Sequence, residues 1–432
     1  MSNRPAADAI PPRIRRSQAI SLALLLVCGV INYLDRATLA VANEYIRADL
    51  GLSLGEMGVL LSAFSWSYAI CQLPVGVLVD KIGPRWLLGA GLVLWSLAQA
   101  AGGLASTFGW FLLVRIALGI GEAPQFPAAA RVVSNWFPAR SRGTPTGIFN
   151  SASPLGVALA PLCLPPLIAA TSWHWAFFVT GALGIVAAIA WIAIYRDPVR
   201  GELTAAERTY LEMDEARQAA PAAGFAAWRA LFRYRATWGM MLGFFGSVYL
   251  NWVFLTWLPG YLRTERHMEL AQAGIAASIP FLCGFAGALV AGWASDRVAR
   301  ISASKVAGRR NAVVVATLGM VAFTIPAALA ESNVVAVACI SIVIFLANAS
   351  SACAWSLATV VAPPSSVGSL GALQNFGGFL GGALAPLLTG YIAQTWSFVP
   401  ALLTGAGMAF LGAMSYLFLV VRPIPEREGQ GA

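Results

Sequence analysis

The sequence predicts an all-α membrane protein of twelve transmembrane helices in two six-helix halves, with both termini cytoplasmic. Three observations lead there. The 432 residues are 58% hydrophobic and only 11% charged, with a mean hydropathy of +0.72, whereas soluble chains carry about 25% charged residues. One helical crossing needs roughly 20 apolar residues, and dividing the chain by twelve allots thirty-six residues to each crossing and its loop. The 42 glycines and 24 prolines would break soluble helices, but membrane helices packed on neighbours tolerate both.

Apolar spans fall at 18–46, 54–79, 86–106, 108–134, 143–170, 174–195, 237–262, 270–295, 312–331, 334–361, 366–393 and 398–421. The N-terminal run has no small-residue cleavage site behind it, so span one reads as a retained helix and not a signal peptide. The net charge of +9 suggests a nucleic-acid binder only until its distribution is seen. Of 28 Lys and Arg, 22 lie at the N-terminus, at the C-terminus or in every second loop, and only Arg47, Arg263 and Arg266 mark the opposite side. The positive-inside bias then places both termini in the cytoplasm, in an inner membrane. No nucleic-acid partner is implied.

The chain divides into a half at 1–195, a charged cytoplasmic linker at 196–236 and a half at 237–432. Glu207, Glu212, Asp214 and Glu215 alternate with Arg208 and Arg217 in the linker, as on a solvated surface helix. A short pattern recurs in the two halves. Gly76-x3-Asp80-Lys81 precedes Arg85 after span two, and Gly292-x3-Asp296-Arg297 follows span eight. The two aspartates are 216 positions apart, half the chain. Duplication around a central site is how secondary transporters are built. An acid at a helix end beside basic residues can also act as a breakable latch.

The few charges inside spans carry the functional argument. Asp35 and Glu122 are the acids well inside apolar runs, with Arg36 and Arg115 as their basic counterparts. An unpaired charge at mid-membrane costs at least ~2.5–3.5 kcal/mol, so such groups are paired or functional. Arg115 and Glu122 are two turns apart on one helix face. An arginine fork binds a carboxylate bidentately and keeps its proton, while a desolvated acid can load and release one. Together they link an anion to a proton: protonating the acid frees the arginine for substrate. Sodium stands as the alternative coupling ion. The six cysteines are scattered singly through apolar runs, and the two histidines, His174 and His267, sit at span ends. No metal site, cofactor, nucleotide loop or catalytic nucleophile–base pair is therefore expected.

These residues resemble known families. The duplicated pattern and six-plus-six layout are similar to the major facilitator superfamily, which implies that fold and a gating role for Asp80, Arg85, Asp296 and Arg297. Asn32-Tyr33-Leu-Asp35-Arg36 resembles, more narrowly, the anion:cation symporter family of sugar-acid and organic-anion carriers. So do Tyr68-x3-Gln72-x-Pro74, Arg115-x3-Gly119-x2-Glu122-Ala-Pro124-x-Phe-Pro127, Trp355-x-Leu357 and Asn375-Phe-x-Gly378. The resemblance implies substrate contacts at Arg36, Tyr68, Trp355 and Asn375, proton coupling at Asp35 and Glu122, and an influence of Arg115 on Glu122.

Three departures bear on the substrate. Ser153, Trp252 and Val360 stand where sugar-acid carriers commonly have a longer polar group, a tyrosine and an acid. Each change removes hydrogen-bonding capacity, and a buried hydroxyl left unpaired costs ~1–3 kcal/mol. The departures predict a carboxylate pocket less polar than that of a typical galactonate carrier, one that admits a short or aromatic acid. The expected function is proton-coupled symport of an organic carboxylate, either a sugar acid such as galactonate, glucarate or a hexuronate, or a short or aromatic acid. The alternatives are an anion sensor signalling through a partner, and a drug/proton antiporter, against which the paired arginines argue. The expected partners are the small anion and the lipid bilayer, without ATP; a monomer suffices.

Overall fold

The computed structural model describes residues 10–138, 141–198, 202–212, 229–301, 304–363 and 366–425. In order, the first helices are α1 (Pro12–Leu50), α2 (Leu54–Ile82), α3 (Pro84–Gly102), α4 (Phe108–Glu122), α5 (Gln125–Trp136), α6 (Gly143–Asn150), α7 (Ala152–Ala170) and α8 (Trp173–Ile194). They are followed by α9 (Ala205–Glu212), α10 (Arg235–Thr264), α11 (Leu270–Ile301), α12 (Lys305–Leu329), α13 (Asn333–Val361), α14 (Val367–Thr395) and α15 (Phe398–Leu419). Ten helical stretches among the described residues are long and apolar enough to cross a membrane. The two other expected spans are occupied by α3 and by α4 with α5. All twelve apolar runs are thus helical.

Two boundaries differ from the sequence reading. The segments carrying Asp80 and Asp296 are not loops, because α2 continues to Ile82 and α11 to Ile301. At 1.5 Å per residue the 29 residues of α2 extend about 43 Å, beyond the roughly 30 Å hydrocarbon core. Hydropathy sees where lipid contact ends, not where the helix ends. The turn after α2 is made at Gly83, whose φ of 85° lies in the left-handed region that glycine adopts without strain. The side chains of Asp80, Asp296 and Arg297 lie outside the described residues.

The second difference is in span four, where α4 stops at Glu122 and α5 resumes at Gln125. Ala123 and Pro124 keep right-handed helical dihedrals, so it is the hydrogen-bond ladder that is interrupted. Pro124 and Pro127 lack N–H groups, which leaves the carbonyls of Ile120 and Ala123, four residues earlier, without ladder donors.

The chain forms two compact units: Met1–Arg36, Trp66–Gly156 and Thr171–Ala219; and Ala37–Ser65, Val157–Ala170 and Ala220–Ala432. In the first, Gln99 Nε2 donates to Thr180 Oγ1 at 2.9 Å, tying α3 to α8. Arg85 and Trp191 clasp each other's helix ends: Arg85 donates to the Ile192 carbonyl at 2.9 Å, and Trp191 Nε1 donates to the Arg85 carbonyl at 3.0 Å. In the linker, Thr204 and Glu207 cap α9 reciprocally, the arrangement that a T-x-x-E sequence permits. Glu207 is buried and paired with Arg13 at 4.0 Å, unlike the solvated face expected there. The linker charges Asp214, Glu215 and Arg217 lie outside the described residues.

In the second unit a buried hydroxyl chain, Ser247 to Thr317 (3.2 Å) to Ser350 (2.9 Å), joins α10, α12 and α13. Close packing of α14 on α10 is set by glycine. A Cβ at Gly377 or Gly381 would run into the Met241 or Phe245 carbonyl. The end of α1 and the start of α2 also pack in this unit, where Arg263 Nε meets Glu44 Oε2 at 2.6 Å and Ser62 donates to the Ala383 carbonyl at 2.5 Å.

Candidate substrate and proton site

Asp35 and Arg36 face inward from α1, Arg115 and Glu122 from α4. None of the four is more than 8% exposed, and all lie within electrostatic range of one another. Two acids and two arginines balance in charge, which is how so costly a group is tolerated in the membrane interior. Arg36 Nε donates to Glu122 Oε2 at 2.7 Å. The Arg36 guanidinium carbon also lies 4.6 Å from the Tyr33 ring centroid and 4.8 Å from that of Tyr68. Two aromatic faces thus hold the fork, an arrangement in which a planar guanidinium can stack while its N–H groups stay free to point at a carboxylate.

The polar groups around this pair are only partly satisfied. Both Asp35 carboxylate oxygens, Glu122 Oε1 and both amide atoms of Asn32 lack a fully formed hydrogen bond among the described residues. Thr180 and Asn32 stand at the edge of hydrogen-bonding range of Asp35 and Glu122 respectively. The Thr180 hydroxyl also donates to the Ala176 carbonyl at 2.9 Å. Buried polar groups are nearly always bonded, and this cluster is the most polar buried patch described around the Arg36–Glu122 pair.

The break in span four places Glu122 at the last residue of α4. It is seated on α3 by two glycines: a Cβ at Gly121 would lie 2.6 Å from the Trp95 amide nitrogen, and one at Gly91 2.6 Å from the Gly121 carbonyl. On the α2 side, Gln72 Nε2 donates to the Ala123 carbonyl at 3.2 Å.

The remaining sequence-predicted residues fall in two places. Ser153 lies on α7 between Ala152 and Gly156, which pack on α1 at Gly29 and Tyr33. Trp252, Trp355 and Asn375 belong to the second unit. There Gly371, Asn375, Gly378 and Gly382 form one helical stripe on α14. Trp355 packs at Gly371, 3.2 Å from where a Cβ would be, and Trp252 at Gly382, 3.0 Å from one. Asn375 sits between these contacts, partly exposed, and Trp355 meets Phe244 edge-on at 6.2 Å. Val360 is half-buried at the end of α13, beside the core of this unit.

Tyr33, at i, i+3 spacing from Arg36, belongs to the site without any motif that assigns it a role, and Thr180, Gln99 and Gln374 are buried polar residues that composition alone does not single out. Gln374 is fully buried with neither amide atom bonded among the described residues.

Comparison with known proteins agrees with this architecture. The family model described as Major Facilitator Superfamily matches residues 25–386 and 271–432. The chain is 42% identical over 413 residues to the "Probable L-galactonate transporter" of Escherichia coli strain K12, covering 95% of this chain and 91% of that one. It is 34% identical to the "D-galactonate transporter" of Escherichia coli O6:H1, covering 94% and 96%. Among solved structures, a bacterial homolog of the human lysosomal transporter Spinster, in an inward-facing and occupied conformation, superposes with a TM-score of 0.72 at 19% identity, covering 94% of this chain and 95% of that one. These relatives are transporters and not enzymes. The chain is a multi-pass membrane transporter that belongs to the major facilitator superfamily.

Proposed function

We propose that this protein is a proton-coupled symporter for a sugar acid of the galactonate type, working in the inner membrane. The observation that carries the proposal is the buried Arg36–Glu122 pair, 2.7 Å apart, with Arg36 held between two tyrosine rings. A substrate carboxylate would take the place of the Glu122 carboxylate on Arg36, and protonation of Glu122 would release Arg36 for it. Asp35, within electrostatic range of both arginines, would pass the proton on, and Arg115 would balance the charge while it moves. The related galactonate carriers support a sugar acid over the aromatic acids admitted by Ser153, Trp252 and Val360. Tyr68 would meet the hydroxylated chain beside Arg36, since an aromatic ring with a polar tip suits a ligand with alternating polar and apolar faces; Trp355 and Asn375 are substrate contacts on the family resemblance.

The test is uptake by reconstituted protein of labelled L-galactonate, D-galactonate, glucarate, glucuronate and benzoate. The proposal expects a galactonate to be taken up, with benzoate neither transported nor competing. Transport of benzoate alone would overturn the substrate assignment.

A further inference from the structure

Gln72 sits one turn after Tyr68 on the same face of α2. Tyr68 lies against the Arg36 guanidinium, and Gln72 donates to the backbone carbonyl of the residue after Glu122. Helix α2 therefore touches the surroundings of the charged pair at two points, one at Arg36 and one at the residue after Glu122. The second contact has a specific cause. Pro127 has no N–H for the carbonyl of Ala123, four residues earlier, and a buried carbonyl left without a donor is costly. Gln72 supplies the donor. On the opposite side, backbone packing at Gly121 and Gly91 leaves no room against α3.

We propose that Gln72 is a positioning residue for coupled transport: by holding the Ala123 carbonyl that Pro127 leaves open, it fixes Glu122 against Arg36. The role rests on the reading of Glu122 as the proton carrier and adds to it. A side chain that served only to fill space would be replaceable by leucine. One that supplies this donor is replaceable only by restoring a donor elsewhere, and the natural place is the backbone at position 127.

The experiment uses full-length protein in proteoliposomes with D-galactonate as the probe. Proton-driven uptake is measured beside proton-independent counterflow for wild type, Gln72→Leu, Pro127→Ala and the double variant. Gln72→Leu is expected to keep counterflow within about twofold while proton-driven uptake falls about tenfold, the effect of one lost hydrogen bond on a buried group. The double variant regains an N–H at position 127 and is expected to match Pro127→Ala alone. An unchanged ratio of the two activities in Gln72→Leu would overturn the proposal, as would a double variant whose losses multiply. If Gln72→Leu does not fold, the double variant decides: uptake near that of Pro127→Ala supports the role, and uptake tenfold below it refutes the role. Wild-type protein that moves galactonate without protons would instead refute the coupling reading itself.

Discussion

Replacing Glu122 with glutamine separates substrate binding from proton binding. Arg36 Nε and Glu122 Oε2 are 2.7 Å apart, with the two side chains 6% and 0% exposed, so solvent screens the interaction little. An anion that binds Arg36 must displace this charge-assisted hydrogen bond, worth about 1.5–3 kcal/mol net. Since every 1.4 kcal/mol is a factor of ten, an ionised Glu122 should weaken anion binding by about tenfold to a hundredfold. Wild-type affinity for D-galactonate should therefore fall by that factor between the pH at which Glu122 is protonated and the pH at which it is ionised. Glu122→Gln keeps the shape and a neutral acceptor but carries no charge at any pH. Its affinity should stay at the acidic wild-type level from pH 5.5 to 8.5. Calorimetric titration of purified protein across that range is the assay. A Glu122→Gln variant that still loses affinity with rising pH, in parallel with wild type, would refute the competition between Glu122 and substrate for Arg36.

Three further outcomes follow from the same geometry. Arg36→Lys keeps the charge but loses the Nε bond and the stacking between Tyr33 and Tyr68. D-galactonate binding should weaken at least about tenfold, scored by calorimetry, and the melting temperature should fall because the buried bond to Glu122 is lost as well. Asn375→Ala should raise KM for galactonate by about tenfold, the cost of one hydrogen bond, while the number of protons moved per substrate stays the same; both are read in proteoliposomes. Gly121→Ala places a methyl against the Trp95 backbone and should destabilise by about 1–3 kcal/mol, seen as a lower melting temperature in detergent.

Much of the architecture could be read before any coordinates, because lipid imposes a simple demand. Each crossing is a long apolar run, and all twelve such runs are helical. The charged pair was legible for the converse reason: in a chain that is 11% charged, Asp35, Arg36, Arg115 and Glu122 stand out inside apolar spans. What escaped depends on contacts and not on composition. Pro124 and Pro127, which open the ladder beside Glu122, are visible in the sequence, but a membrane helix can absorb prolines, and the packing at Gly91 and Gly121 that seats the opened segment on α3 is not legible there. The clasp of Arg36 by Tyr33 needs the facing α2 with Tyr68 to become apparent. Helices α2 and α11 continue through segments that hydropathy reads as loops, since their last turns are polar but still helical. The charge of Glu207 predicts a solvated side chain, whereas it is buried, capping Thr204 and pairing with Arg13.

The most direct test of the central claim is the pH inside proteoliposomes when D-galactonate is added outside. The account predicts acidification of the lumen by wild-type protein. Glu122→Gln should give none, while still exchanging labelled for unlabelled galactonate across the same membrane. Galactonate uptake by wild type with no change in internal pH would contradict the account, as would a Glu122→Gln variant that acidifies the lumen as fast as wild type.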